Sequence, residues 1–224
     1  MTLVEEAVLV AAKDLRIEAH ARVVMTQVLP FGVVVLLLFA FALDPDRGVL
    51  PVVAPGLFWV AVLLSSLLAV SRSFAIEADH GARDGLRLSG LDGAAIFLGK
   101  AAAIAVQLLV LEVVLLIGVF VLYDVDPRGL AVLVVAGVLA TTAIAALGVT
   151  YGVLAAGMRV RETLVPLLVL PITMPVLLGA TRAFEFALAD DLGPAWRWTS
   201  LIAMITTVTI TLGVLSFESL LEEA

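Results

Sequence analysis

The stretch RSFAIEADHGARDGLRLSGLDGAAIFLGK, residues 72–100, decides the fold because it is a charged segment set between two apolar runs. Residues 51–71 before it and residues 94–122, which overlap its end, contain almost no charged side chains. A helix needs about 20 apolar residues to cross a bilayer, and each flank is long enough. The pattern therefore predicts two transmembrane spans joined by a hydrophilic connection on one side of a membrane.

The composition of the whole chain indicates the same class of protein. Of the 224 residues, 62% are hydrophobic and the mean hydropathy is +1.18, whereas soluble domains are usually about 45–50% apolar. A soluble protein of this composition would expose large apolar patches and aggregate. The chain contains no cysteine, which excludes disulfides, thiolate metal ligands and a cysteine nucleophile in it.

The apolar runs predict an all-α polytopic membrane protein with one membrane domain, residues 1–224. Residues 5–22 place apolar side chains at helical spacing, so we expect an amphipathic helix in the membrane interface. Packing of this helix on another soluble surface is the alternative. Residues 182–198 are expected to form a loop at the interface, where tryptophans concentrate. The six predicted spans are residues 23–43, 51–71, 94–122, 130–157, 163–181 and 199–220.

The distribution of basic residues predicts the orientation. Six spans place both termini on one side, and nine of the 13 Lys and Arg residues lie on that side, which also holds residues 72–93. The positive-inside rule assigns this side to the cytoplasm. Within the charged segment we expect a helix continuing to about His80, a break at glycines, a short helix over residues 82–88, and Asp92 as the N-cap of span 3.

Motifs for chemistry within this chain are weak. Residues 93–100 resemble a phosphate-binding loop but have one residue too many between the glycines, and Ala101 where a magnesium-binding hydroxyl is needed. Any ATP must then be bound by a partner. No Ser/His/Asp grouping or zinc-protease motif is present, and His20 and His80 are isolated. We therefore predict no catalytic residues and no metal site.

Three features inside the spans remain as candidates. Glu112 is an acid deep in span 3, and burying it unpaired costs at least a few kcal/mol. It is either a functional polar point, on a pathway or at a subunit seam, or a structural hydrogen-bond partner of a neighbouring span. Gly148 and Gly152 mark a packed face, within the chain or between copies. Span 5 must be kinked or broken at its three prolines, which are Pro166, Pro171 and Pro175.

The charged segment interleaves leucines with charges, a mixture that suits docking into a groove of a cytoplasmic partner. Four stretches of the sequence carry a resemblance: KDLRIE (13–18), GLFWVAVLLSSLLAVSRSF (56–74), DGLRLSGLDGAAIFLGKA (84–101) and LLVLPITMPVLLGA (167–180). Together they resemble the CcmB family, haem exporter protein B of cytochrome c maturation. One departure is Gly90, where the family pattern has proline.

This resemblance implies a permease subunit of an ABC-type complex, with an ABC-2-like elbow helix followed by six spans in the bacterial inner membrane. Two copies would pair with a cytoplasmic ATPase, CcmA, and act with CcmC, CcmD and the periplasmic haem chaperone CcmE, with no nucleic acid involved. ATP would be bound by the ATPase and haem by CcmC and CcmE, leaving no cofactor in this chain. The residues expected to contact the ATPase, besides the elbow helix, are Glu77, Arg83, Asp84, Leu86, Arg87, Leu88 and Leu91.

The resemblance leaves rivals open. One is an ABC-2-type exporter of another substrate, and a second is a membrane scaffold that anchors partners without transport. A stand-alone secondary transporter is disfavoured, because the chain has a single intramembrane acid and no evident repeat of broken helices.

Overall fold

The structure is a computed structural model that describes residues 2–43, 48–79, 90–156 and 161–223. The described part of the chain is helical, with short connections. Besides a π-helical turn at Val24–Val28, it contains seven α-helices: α1 Leu3–Ala21, α2 Leu29–Ala42, α3 Leu50–Asp79, α4 Gly93–Leu122, α5 Leu130–Ala156, α6 Arg161–Leu188 and α7 Leu192–Glu223.

Six helical stretches of the described residues are long and apolar enough to cross a membrane, which confirms the predicted fold class. The shortest has 19 residues and the longest 30, close to what a hydrocarbon core about 30 Å thick requires. The protein is therefore a multi-pass membrane protein. The stretches are Val24–Ala42, Leu50–Phe74, Gly93–Leu122, Leu130–Leu154, Val169–Leu188 and Leu192–Leu220.

The predicted interfacial loop over residues 182–198 is wrong. Helix α6 continues to Leu188 and α7 begins at Leu192, so three residues connect them, with Asp190 at φ +61°. The aromatic pattern that suggested a loop belongs to a packed helix, since Phe184 is 3% exposed and Ala187 is fully buried. The result is a tight helical hairpin at the end of the bundle opposite the end of α3 and the start of α4.

Helix α6 is continuous through its prolines, so the alternative of a broken span is wrong. Pro171 and Pro175 lie on its exposed face. The hydroxyl of Thr173 donates hydrogen bonds of 3.0 Å to the carbonyl oxygens of Val169 and Leu170 in the same turn. A kink in this helix stays a prediction.

The N-terminal helix is capped at its start and bent sharply at its end. Thr2 and Glu5 form a reciprocal capping box. At the other end Arg22 adopts a left-handed conformation, with φ 55°. The backbone carbonyl of Glu18 accepts a hydrogen bond of 2.6 Å from the N–H of Arg22. The carboxylate of Glu18 accepts another, also of 2.6 Å, from the N–H of Val24. The π-helical turn follows at once and leads into Pro30, which has no N–H to continue the regular ladder.

The ends of the charged segment agree with the sequence-based expectation. Helix α3 continues past the predicted span to Asp79. The carboxylate of Asp92 accepts a hydrogen bond of 2.8 Å from the N–H of Ala94 and so caps α4. The predicted short helix over residues 82–88 lies outside the described residues.

The small residues of α5 pack within the chain. A Cβ atom at Gly148 would lie 2.6 Å from Cγ2 of Val70, and one at Gly152 would overlap the ring of Phe74. Both partners belong to the last turns of the membrane-spanning part of α3. This close approach of α3 and α5 accounts for both glycines of the GxxxG pair.

Candidate functional site

The structure describes only two of the seven residues that were expected, besides the elbow helix, to contact the ATPase. Glu77 belongs to the last turn of α3, and Leu91 is half-buried against the core just before α4. The remaining residues lie outside the described part of the chain, so their predicted contact with an ATPase stays a prediction. These are Arg83, Asp84, Leu86, Arg87 and Leu88.

A buried lysine stands where the charged segment enters α4. Lys100 is 4% exposed, and its Nζ lies 3.7 Å from a carboxylate oxygen of Asp14 on α1 and 5.5 Å from the centre of the Phe74 ring on α3. A buried ammonium group is stabilised by such a carboxylate and by the face of an aromatic ring. Lys100 thus connects three helices with one side chain.

Two further contacts hold α1 against α4. The carboxylate of Glu6 accepts a hydrogen bond of 3.1 Å from the N–H of Asp92. Gly99 lets the helices touch, since a Cβ atom there would lie 2.6 Å from the carbonyl oxygen of Ala7 and 2.6 Å from Cβ of Val10. We call the contact set of Glu6, Asp14, Asp92, Gly99 and Lys100 the elbow junction.

The elbow junction also explains the motif that resembled a phosphate-binding loop. Gly93, Gly99 and Lys100 all belong to helix α4, so the residues between them are helical and do not form a loop. Gly93 packs against the backbone of Glu218 on α7, and Gly99 packs against α1. The glycines therefore serve helix packing, and the lysine serves an ion pair.

Glu112 lies inside α4 and is 6% exposed. The hydroxyl of Thr141 on α5 donates a hydrogen bond to its Oε1 atom, while Oε2 faces Gly137, where a Cβ atom would lie 3.6 Å away. Within the described part of the chain no cation pairs with Glu112. One interpretation of Glu112 was a structural hydrogen bond to a neighbouring span, and the bond from Thr141 is such a contact. The second oxygen, Oε2, has no hydrogen-bonding partner among the described residues.

A pocket of about 250 Å³ lies beside this carboxyl group, between α3, α4, α5 and α6. On the mouth side Val113, Val134 and Val138 are 60%, 62% and 42% exposed, so the pocket opens sideways toward the hydrocarbon phase. We call it the Glu112 pocket. Its lining consists of Phe58, Leu109, Glu112, Val113, Leu116, Leu133, Val134, Gly137, Val138 and Phe184.

Aromatic side chains form the inner wall of the Glu112 pocket. The rings of Phe58 and Phe184 are stacked with centres 5.3 Å apart, and Trp59 meets both rings edge-on. The indole N–H of Trp59 is buried and has no hydrogen-bond partner among the described residues. The packed rings of Phe58 and Phe184 thus form part of the lining of the pocket.

The described residues contain no group of three or more His, Asp or Glu side chains that could hold a metal ion. His20 is exposed, and its Nδ1 atom makes a hydrogen bond of 2.8 Å with the carbonyl oxygen of Arg16 in the same helix. That contact is a local helical one.

Sequence reasoning missed the elbow junction. It counted Lys100 only as a basic residue of the predicted cytoplasmic side and took Asp14 only as a charged residue of the amphipathic helix, because the pairing depends on α1 folding back on α4. The available signal was a lysine seven residues into an apolar span, since a charge there needs a partner.

Comparison with known proteins gives one consistent family. Residues 5–223 match the family described as CcmB protein. The chain is 31% identical over 205 residues to the heme exporter protein B of Paracoccus denitrificans, which covers 89% of this chain and 91% of that protein. It is 28% identical over 210 residues to the heme exporter protein B of Pseudomonas aeruginosa, covering 91% of each, and 30% identical over 179 residues to that of Haemophilus influenzae, covering 78% and 79%.

Proposed function

The chain belongs to the CcmB protein family, and from this premise we propose that it is the permease subunit of an ABC-type complex in cytochrome c maturation. The name of its relatives, heme exporter protein B, supports haem as the cargo of the complex. We place the chain in a bacterial inner membrane with both termini in the cytoplasm, as two copies on a dimer of a CcmA-like ATPase. ATP belongs to that ATPase, so this chain is not itself the enzyme.

Haem contacts belong in this proposal to subunits resembling CcmC and CcmE, with CcmD in the same complex. This chain carries no cofactor of its own. Its task is mechanical: ATP hydrolysis in the cytoplasm changes the bundle, and the altered periplasmic face releases the haem-loaded chaperone. Nucleotide drives such a change only by binding the two conformations with different affinities.

The elbow junction is the observation that carries the proposal. The segment expected to contact the ATPase is bounded by the end of α3 at Asp79 and the start of α4 at Gly93. Lys100 holds α4 to both α1 and α3 a few residues inside the membrane. A displacement applied between Asp79 and Gly93 therefore moves α1, α3 and α4 together.

Helix α4 provides the path across the membrane. From Lys100 to Glu112 the helix rises about 18 Å at 1.5 Å per residue, and it ends at Leu122 on the opposite side. A rigid helix transmits a push or a tilt over this length without needing a chain of titrating groups. The charged segment thus docks on the ATPase, the elbow junction couples the three helices, and α4 transmits the movement across the membrane.

The decisive experiment reverses the charge of Arg83 and Arg87 together. We expect the R83E/R87E variant to lose co-purification with the ATPase from detergent-solubilised membranes, and to lose the ATP turnover that depends on this chain. The matched control is R182E/R197E, which reverses two arginines on the opposite side and should leave both readouts unchanged. Retained ATPase binding and turnover in R83E/R87E would contradict the docking role.

The orientation of the variant has to be checked, because removing positive charge can invert a topology. The double reversal lowers the cytoplasmic count of basic residues from nine to seven, against four on the other side, so we expect the orientation to hold. A C-terminal tag that stays protected from protease in sealed right-side-out vesicles confirms this. An ATPase that never binds even the unchanged chain would favour a non-transporting scaffold.

A further inference from the structure

The Glu112 pocket combines features that packing alone does not require. A carboxyl group that is nine-tenths buried has one oxygen bonded to Thr141 and a second oxygen without a hydrogen bond from any described residue. Oε2 is not one of the fully enclosed unpartnered side-chain atoms, which among the described residues are Nε1 of Trp59 and Oγ of Ser65, so this oxygen is accessible from the pocket.

The position of the pocket determines what can reach it. Glu112 lies ten residues before α4 ends at Leu122, about 15 Å along the helix. The exposed valines at the mouth face hydrocarbon, so a molecule enters from the lipid phase and not from water. An isolated charge is disfavoured at this depth, so the carboxyl group is expected to be the un-ionised acid, which both donates and accepts hydrogen bonds.

The size of the pocket limits the shape of a ligand. A volume of about 250 Å³ holds roughly eight groups of the size of a water molecule, at about 30 Å³ each. The remaining lining is aliphatic or aromatic, which suits a methylene chain. A single narrow chain with one polar head fits this space, whereas a large planar molecule does not.

We propose that the Glu112 pocket is a binding site for an uncharged single-chain amphiphile from the lipid phase, whose hydroxyl or ester head bonds to the free oxygen of Glu112. This site is independent of the ATPase and of the proposed role in cytochrome c maturation. Its occupant bridges α4 and α5 beside the Glu112–Thr141 hydrogen bond, and it fills the mouth between the exposed valines.

Dicyclohexylcarbodiimide tests the site directly, because it is a lipid-soluble reagent for un-ionised carboxyl groups. The acid proton moves to a nitrogen of the reagent and the carboxyl oxygen bonds to its central carbon. An oxygen-to-nitrogen acyl shift then gives a stable N-acylurea, and nothing leaves. We expect peptide mass spectrometry of the protein in lipid nanodiscs to find this adduct at Glu112, and to find none there in the E112Q variant.

Competition identifies the class of ligand. We expect 1-octanol to protect Glu112 from labelling at a concentration about three- to tenfold lower than octane, which lacks the hydroxyl group, because one hydrogen bond changes the affinity by about this factor. No adduct at Glu112 would mean that the pocket is closed to the lipid phase, and would overturn the proposal. Equal protection by octanol and octane, or protection by neither, would overturn the assigned polar recognition.

Two variants at Gly137 provide a structural control. A Cβ atom there would lie 3.6 Å from Oε2 of Glu112 and 3.9 Å from the Phe184 ring, which are ordinary contacts, so G137A should keep the labelling. The larger side chain of G137L occupies the pocket and should slow the labelling severalfold. If G137L does not fold, the octanol and octane comparison on the unchanged chain still decides the question. Undiminished labelling of a folded G137L would contradict the assigned pocket.

Discussion

The contact between Gly148 on α5 and Val70 on α3 allows a prediction whose sign can be worked out from the structure. The perturbation is G148A, which adds one methyl group. That methyl would lie 2.6 Å from Cγ2 of Val70, whereas carbon atoms in contact are about 3.5–4.0 Å apart. The helices or the valine must therefore move by about 1 Å.

Two terms decide the magnitude. Overpacking a well-packed core costs about 1–3 kcal/mol. Alanine in a helix interior is more stable than glycine by about 0.5–1 kcal/mol. The difference predicts that G148A lowers the free energy of unfolding, by up to about 2.5 kcal/mol. G118A is the matched control on α4, because its nearest contact would be Leu36 at 3.5 Å, so it should be neutral or stabilising by up to about 1 kcal/mol.

A double-mutant cycle isolates the contact. V70A alone removes buried methyl groups and should cost about 1–2 kcal/mol. In the G148A background the same change also relieves the clash, so the double variant should be more stable than the sum of the two by about 1–2 kcal/mol. Reversible unfolding of the purified protein in mixed micelles, followed by tryptophan fluorescence, measures all four members of the cycle.

Two results would refute this reasoning. Additive effects of G148A and V70A would mean that the two side chains do not meet. Unchanged unfolding of G148A, together with a loss of dimers in light scattering, would mean that the glycine pair packs between copies of the chain and not within it.

Three further predictions concern the other interhelical contacts. K100M should lower the free energy of unfolding by roughly 1–3 kcal/mol, because it leaves the carboxylate of Asp14 less compensated, and K100M combined with D14L should recover part of this loss in the same assay. G99A should push α1 away from α4, and we expect protease to cut the N-terminal helix about five- to tenfold faster, with an unchanged cutting rate counting against the docking of α1. Y123F should cost about 0.5–1.5 kcal/mol, because the phenol donates a hydrogen bond of 2.9 Å to the carbonyl oxygen of Leu36; full stability of Y123F would exclude that bond.

The sequence predicted the features that depend on local composition. The number of spans, the extension of α3 toward His80 and the cap at Asp92 were all predictable. Each depends on the hydropathy, charge or capping chemistry of residues that are close together in the sequence. The hairpin at Asp190 did not follow, because aromatic and charged residues occur equally in interfacial loops and in packed helix ends. Only the burial of Phe184 against the core distinguishes the two.

Features that depend on the register between helices could not be predicted from the sequence. Thr141 is 29 residues from Glu112, and nothing in either span indicates which of their faces meet. The GxxxG pair indicated close packing without identifying α3 as its partner. Lys100 and Asp14 come together only because α1 folds back along α4, a consequence of the bend at the end of α1.

That bend at Arg22 has a mechanical consequence. A non-glycine residue in the left-handed region is uncommon and costs about 1–2 kcal/mol, yet Glu18 holds the bend through hydrogen bonds on both sides of it. No slack linker separates α1 from the first span, because the helical backbone resumes at Val24. The two segments thus behave as one stiff bent element that pivots at a single residue, and a rotation of α1 turns the first span through a comparable angle instead of being absorbed by a loop.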